Sequence, residues 1–231
     1  MPGTELFGEE EKKEVMDVMN SGVLFRFNHD AQREGHWKAK DFEKEVAQFT
    51  GAKHALAVSS GSTAVNTMLA ACGVGYGDEV IVPPFTYIAT IEAVLLAGAL
   101  PVFAEIDDTL CMSAEGIRTV LSPKTKAILL VHMCGAAADL DGIIAICKEK
   151  NIQLIEDSAQ ALGASYKGKM LGTFGLMGSF SYDFFKINTC GEGGIVITDD
   201  HELWDTAQQF ADHGHDHIGN NRGMEQHPIL G

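Results

Sequence analysis

The sequence predicts an α/β fold with a mostly parallel central sheet flanked by helices. Short apolar runs of strand length alternate with segments of helical spacing from His54 to Asp157. Glycine or proline closes most of these segments, as at Gly51, Gly73 and Pro83–Pro84. A helical segment between consecutive strands is what a crossover needs, so the strands run parallel in βαβ units.

The elements follow in order. Gly8–Gly22 reads as an amphipathic helix with acidic residues in its first turns, where they complement the helix dipole. Lys40–Ala52 is a second helix, closed by Gly51. His54–Ser60 is a short apolar strand. Ser62–Gly73 has helical spacing and a glycine stop. Asp78–Pro84 is a strand ended by proline, Thr86–Ala99 a helix, and Pro101–Ile106 a strand. Ser113–Leu121 is a short helix and Lys126–His132 a strand. Asp139–Asn151 is a helix with basic residues in its last turn, and Ile152–Asp157 is a strand. From Leu171 to Thr198 the pattern changes to short strands and glycine turns, before Glu202–Gly214 returns to helix. The polar stretch Gly219–Gly231 reads as a loop.

At 231 residues, 45% hydrophobic and 21% charged, the chain has enough apolar material for a large buried core in one or two domains. A formal net charge of −15 repels phosphate backbones and argues against a nucleic-acid partner. The apolar stretch Ile91–Leu100 contains Glu92 and is too short to span a bilayer, so no membrane partner is expected. The charged N-terminus lacks the apolar core of a secretory signal. Cys72, Cys111, Cys134, Cys147 and Cys190 form no CxxC pair, which points to reduced thiols and a cytoplasmic location.

In parallel α/β sheets, ligands bind beyond the carboxyl ends of the strands. The informative loops are therefore SSGST, PPFTY, VHMCG and EDSAQ. In SSGST, Gly61 allows close backbone approach at a helix N-terminus, and Ser62 and Thr63 add hydroxyls. That is a simple phosphate cradle, although an ordinary helix cap has the same composition. Asp157 ends an apolar strand, where a carboxylate is costly unless paired. A protonated ring nitrogen would pair it, with Gln160 in reach of another polar atom of the same ring. Tyr87 can stack on a flat ring, though a core tyrosine is the commoner fate. Lys186 follows Phe184 and Phe185 and precedes Ile187. These neighbours argue that it is a desolvated amine at a strand end, able to form a Schiff base with a carbonyl cofactor. Ser181, five residues earlier, is placed to donate to the same phosphate. His213–His217 invites a metal reading, but no cysteine is near, and no metal site is expected. His132 is either a pocket residue or a satisfied core histidine.

The order of these features decides more than any one of them. With SSGSTA, PPFTYIAT, VHMCG, EDSAQALG and SFSYDFFKINTCGEGG, the chain resembles the DegT/DnrJ/StrS sugar aminotransferases, which have fold type I and depend on pyridoxal 5′-phosphate (PLP). The resemblance covers essentially the whole chain. It implies that residues 1–231 form the PLP-binding large domain with an N-terminal helical segment, without the family's small C-terminal domain. It gives Lys186 the role of Schiff-base lysine and proton shuttle, Asp157 the pyridine nitrogen and Gln160 the phenolic oxygen. Gly61, Ser62 and Ser181 would hold the phosphate, and Tyr87 would cover the ring face. It also implies glutamate as amino donor, a keto or aldehyde sugar as acceptor, and a homodimer. Asp183 stands where many relatives carry histidine or asparagine. MPGTELFG, FAEIDDTLCMSAEGI and HGHDHIGNNRGMEQHPILG are similar to the subgroup that makes 8-amino-3,8-dideoxy-manno-octulosonate (8-amino-Kdo) for lipopolysaccharide. A nucleotide-linked 4-keto-6-deoxy sugar is the alternative acceptor. A non-catalytic PLP-fold regulator or an inactive fragment is the alternative of another class. A Rossmann dehydrogenase fails for want of G-x-G-x-x-G after the first strand.

Overall fold

The computed structural model describes residues 3–215. After a single 3₁₀ turn at Gly3–Leu6, the helices are α1 (Glu9–Ser21), α2 (Asp30–Arg33), α3 (Lys38–Thr50), α4 (Gly61–Ala71), α5 (Ile88–Leu96), α6 (Ala114–Val120), α7 (Leu140–Lys150) and α8 (His201–Ala211). The strands are β1 (His54–Val58), β2 (Glu79–Val82), β3 (Leu100–Phe103), β4 (Thr125–Val131), β5 (Gln153–Asp157), β6 (Ser165–Tyr166), β7 (Lys169–Met170), β8 (Met177–Ser181) and β9 (Gly194–Thr198).

Seven strands form one sheet in the order β1-β9-β8-β5-β4-β2-β3. All neighbouring pairs are parallel except the two that involve β9. The reversal has a local cause. Residues 182–193 contain no helix, so the chain has no crossover with which to bring β9 back parallel to β8. The mostly parallel sheet expected from the alternation is therefore present, with one reversed strand where the alternation stops. The sequence pattern did not indicate α2 or the small β6–β7 hairpin, whose turn is carried by Lys167 and Gly168 at φ +50° and +82°.

Alternate residues of each strand feed opposite faces of the sheet. Val80, Val82, Leu129, Ile155 and Val196 pack with Val65, Met68 and Leu69 of α4 and with Val94 of α5. Ile81, Ile128, Leu130 and Leu154 pack with Ile117 of α6 and with Leu140, Ile143 and Ile146 of α7. A third cluster joins Val46 of α3 to Ala55, Phe180, Ile195 and Ile197. With both faces covered, the loops at the strand ends are the part of the sheet left open to a ligand.

The register sets these loops side by side. Val131 pairs with Asp157, Asp157 with Ser179, Ser181 with Gly194, and Gly194 with Val58. The carboxyl ends of β1, β8, β5 and β4 thus line one edge of the sheet. No helix among the described residues is long and apolar enough to cross a membrane.

Candidate active site

The strand-to-helix turn after β1 is tightly built. Ser60 caps α4: its Oγ accepts from the Thr63 N–H (3.1 Å), and the Thr63 hydroxyl oxygen accepts from the Ser60 N–H (2.9 Å). This closes a cap around the turn without using the first-turn N–H groups of Gly61 and Ser62, which have no acceptor within the helix. A Cβ on Gly61 would stand 2.7 Å from Ser181 Cβ and 3.0 Å from Ser181 Oγ. On the other side, a Cβ on Gly194 would overlap the Ser60 carbonyl and lie 2.7 Å from the Gly61 nitrogen. The α4 N-terminus is therefore seated directly on the ends of β8 and β9, beside the Ser181 hydroxyl. Gly194 was not singled out from the sequence; the run GEGG at the start of a strand was the available signal.

Asp157 ends β5 and is buried. Its Oδ1 accepts from the Ala159 N–H (3.1 Å) and its Oδ2 from the Thr90 hydroxyl (2.9 Å). Burial pushes its carboxyl above the usual carboxylate range. The Ala159 and Thr90 hydrogen bonds offset part of that rise, as does the positive charge of Lys186. Gln160 lies in the turn that follows, where its Oε1 accepts from the Cys134 N–H (3.0 Å). That bond holds the loop after β4, in which Cys134 has φ +54°, and it leaves the Gln160 amide N–H₂ as a donor.

Lys186 sits in the connection between β8 and β9 rather than at a strand end. Asp183 organises this turn, since its Oδ1 accepts from Phe185 N–H (3.1 Å) and its carbonyl from Lys186 N–H (2.9 Å). The Lys186 carbonyl accepts from Gly3 N–H (2.9 Å), so the N-terminal turn runs against the same loop. The burial argument made from the neighbours of Lys186 is not met within one chain. Phe184, Phe185 and Ile187 are 48%, 78% and 66% exposed, and Lys186 itself is half-buried. In a twelve-residue connection without regular structure, apolar side chains have no sheet face to bury against. Tyr87, just before α5, is likewise exposed, at 69%.

A cleft of about 240 Å³ is lined by Lys186, Gln160, Ser181, Ala159 and Cys134, among others. It brings together three of the residues singled out from the sequence, with Asp157 behind it and Gly61 against Ser181. Tyr87 does not line it. Larger hollows lie elsewhere; one of about 1130 Å³ runs between Arg26, α4 and α8. Size alone does not choose the site, and the small cleft is the one where an amine, an amide and a hydroxyl converge.

His132 is fully buried. Its Nε2 meets Glu156 Oε1 at 2.9 Å, and the Glu156 carboxylate also accepts from the N–H groups of Gly172, Phe174 and Gly175. It is a core histidine partnered by a carboxylate. Glu156, which sequence reasoning passed over beside Asp157, ties β4 to the turn before β8. Among the described residues, no group of three or more His, Cys, Asp or Glu is placed to hold a metal ion. His217 and the segment Gly219–Gly231 lie outside the described residues.

A model of the DegT/DnrJ/EryC1/StrS aminotransferase family matches residues 6–231. The chain belongs to this family. Family relatives include a UDP-N-acetyl-3-dehydro-α-D-glucosamine 3-aminotransferase of Acidithiobacillus ferrooxidans, 41% identical over 82% of this chain and 53% of its own length. Another is a GDP-perosamine synthase of Vibrio cholerae, 41% identical over 88% of this chain and 54% of its own. Among solved structures, an aminotransferase from Psychrobacter cryohalolentis superposes with a TM-score of 0.86 at 38% identity, covering 96% of this chain and 57% of that one. A Bacillus subtilis protein with bound cofactor PMP superposes at 0.77 with 30% identity, over 93% of this chain and 48% of its own. The fold is thus that of the family's PLP aminotransferases. The chain spans about half the length of the curated relatives it matches.

Proposed function

We propose that this chain is the cofactor-binding part of a PLP-dependent sugar aminotransferase, taking its amino group from glutamate. The single observation that carries the reading is the convergence of Lys186, Gln160 and Ser181 on one cleft, with the buried carboxylate of Asp157 behind it. The residues fit the cofactor. A phosphate finds an anion seat at the α4 N-terminus, where the absence of a Cβ on Gly61 lets Ser181 approach. Asp157, desolvated and only partly hydrogen-bonded, calls for a cationic partner such as a protonated ring nitrogen.

When bound, PLP supplies an aldehyde that accepts an amino group and a ring that stores an electron pair. The chain's own residues do the rest. Gly61, Ser62 and Ser181 bind and orient the phosphate. Asp157 would hold the proton on the ring nitrogen and Gln160 would donate its amide N–H to the phenolic oxygen, while the resemblance gives Tyr87, outside the cleft of this chain, the ring face. Lys186 Nζ would hold the aldehyde carbon of the bound group and, once the donor's amine has displaced it, would be the free base that takes and returns the donor's α-proton.

Two acceptors are supported by different observations. The N-terminal, mid-chain and C-terminal segments resemble the 8-amino-Kdo transaminases, which favours the 8-oxo-Kdo sugar and a place in lipopolysaccharide synthesis. The names of the UDP- and GDP-sugar relatives favour a nucleotide-linked keto sugar. The exposed Phe185 and Ile187 at the cleft, and the exposed Tyr87 before α5, support a homodimer in which a second copy covers them.

The test uses the full-length protein. It should show a cofactor absorbance that Lys186→Ala abolishes and that glutamate converts to the aminated form, followed by turnover with one acceptor class and not the other. An unchanged spectrum in Lys186→Ala refutes the role of Lys186. A bound cofactor that glutamate never converts supports a non-catalytic regulator instead.

A further inference from the structure

Asp157 is gripped from a direction that the site's own residues do not account for. Thr90 lies in the first turns of α5, and its side chain is buried to 1% exposure in a helix otherwise rich in Ile, Ala, Val and Leu. A buried hydroxyl in such a place is costly unless bonded. Its oxygen lies 2.9 Å from Asp157 Oδ2 and 2.8 Å from the Thr86 hydroxyl. A carboxylate only accepts, so Thr90 donates to Asp157; the Thr86 hydroxyl then donates to the Thr90 oxygen, its nearer acceptor at 2.8 Å against 3.3 Å to the Tyr87 carbonyl. The result is a directed chain, Thr86 to Thr90 to Asp157, running from the loop before α5 to the carboxyl end of β5.

We infer that Thr90, oriented by Thr86, is a positioning residue that fixes the carboxylate of Asp157 for its ligand. With Ala159 N–H on Oδ1 and Thr90 on Oδ2, each carboxylate oxygen is tied down once. The carboxyl plane cannot turn about its bond to Cβ without breaking one of the two. Each oxygen keeps a further lone pair for a cationic partner. Lys186 and His132 are the other charged or titratable groups that act on this carboxylate, and they do so through the field rather than through a hydrogen bond. The inference rests on the proposed cofactor site for the identity of the ligand, but not for the hydroxyl chain itself.

The test compares wild type with Thr90→Val, Thr90→Ser and Thr86→Val. The Asp157 carboxyl is titrated by carbon NMR in the cofactor-free protein, and PLP affinity is measured by equilibrium dialysis. Thr90→Val should raise the Asp157 midpoint by about one pH unit and weaken PLP binding about tenfold, as expected for a lost charge-assisted hydrogen bond. Thr90→Ser should restore both, and Thr86→Val should move both in the same direction by less. An unchanged Asp157 titration in Thr90→Val, or a Thr90→Ser that behaves like it, overturns the inference. Should Thr90→Val not fold, Thr86→Val decides, and its failure to shift either readout refutes the relay. If wild type binds no PLP, the proposed function fails while the NMR titration still judges the hydroxyl chain.

Discussion

Gly61→Ala tests the seat of the α4 N-terminus. The new Cβ would stand 2.7 Å from Ser181 Cβ, whereas ordinary contact begins at 3.4 Å, so the turn and the end of β8 must part by about 0.7 Å. Neither side yields easily. Ser181 Cβ is fixed by a strand paired on both flanks, to β5 and to β9. Behind Gly61, the backbone of Gly194 is packed so closely on Ser60 and Gly61 that it admits no Cβ of its own. Overpacking of this kind costs about 1–3 kcal/mol. Alanine's lower backbone entropy in the unfolded chain returns about 0.4–1 kcal/mol. The net loss is then about 1–2 kcal/mol, or a fall in Tm of about 2–8 °C for a chain of this size. Thermal denaturation followed by circular dichroism measures it. Gly75→Ala is the control, because its Cβ would meet nothing closer than the Ala97 carbonyl at 4.0 Å. PLP affinity should fall with Gly61→Ala and hold with Gly75→Ala. A Gly61→Ala protein as stable as wild type would refute the account of the cradle.

Further outcomes follow from other buried groups. Asp157→Asn should leave the cofactor-free protein at least as stable as wild type at neutral pH. The folded carboxyl is raised above its unfolded value, so its ionisation costs stability as pH rises through that window and costs nothing below it. The advantage of Asn should therefore vanish as pH falls towards 4, and a urea titration series showing Asn less stable at pH 7 would contradict this. Glu156→Gln should destabilise by about 3 kcal/mol in urea unfolding. The amide presents a donor where Gly172, Phe174, Gly175 and His132 all need an acceptor. Burial pushes the thiols of Cys72 and Cys147 up to about 12 and about 11, while Cys134 is exposed. Mass spectrometry after brief alkylation at pH 8 should find Cys134 modified well before Cys72 or Cys147.

The sheet was legible because its strands and crossovers repeat a simple period, and because each glycine or proline stop falls where the helix or strand ends. Gly22, Gly51 and Asn151 all close helices in the left-handed conformation. The reversal of β9 was not legible. It depends on what the 182–193 connection lacks, and a missing helix leaves no periodicity to read. Among the candidate residues, the positions of Gly61, Ser181, Asp157 and Gln160 near one end of the sheet were legible because strand ends and helix starts have fixed addresses in a parallel sheet. Thr90 and Glu156 could not, since their meaning lies in partners far along the chain: Thr90 meets Asp157, and Glu156 meets His132 and the turn at Gly172–Gly175. A lone threonine in an apolar helix is a visible oddity, but its sequence neighbourhood does not say which carboxylate it serves.

The largest revision concerns where desolvation acts. Aromatic neighbours made Lys186 look like the buried partner and Asp157 the paired one. In the folded chain the carboxylate is the buried group, and the amine stands half-open in a connection whose apolar side chains face outward. The two observations belong together. A buried carboxylate attracts a nearby cation whether or not that cation is itself dehydrated, and the charge of Lys186 already counteracts the rise at Asp157. The energetic cost of the site is thus borne by β5, which is locked into the sheet on both sides by β4 and β8. The lysine's loop is held at its base, where Tyr182 bonds to Gly193, Thr189 and Cys190, and by the Asp183 turn and the Gly3 contact, which leaves the Lys186 amine half-open. A buried, twice hydrogen-bonded carboxylate and a half-open amine would suit the proposed site, in which one group holds a ring still while the other bonds to it and lets go.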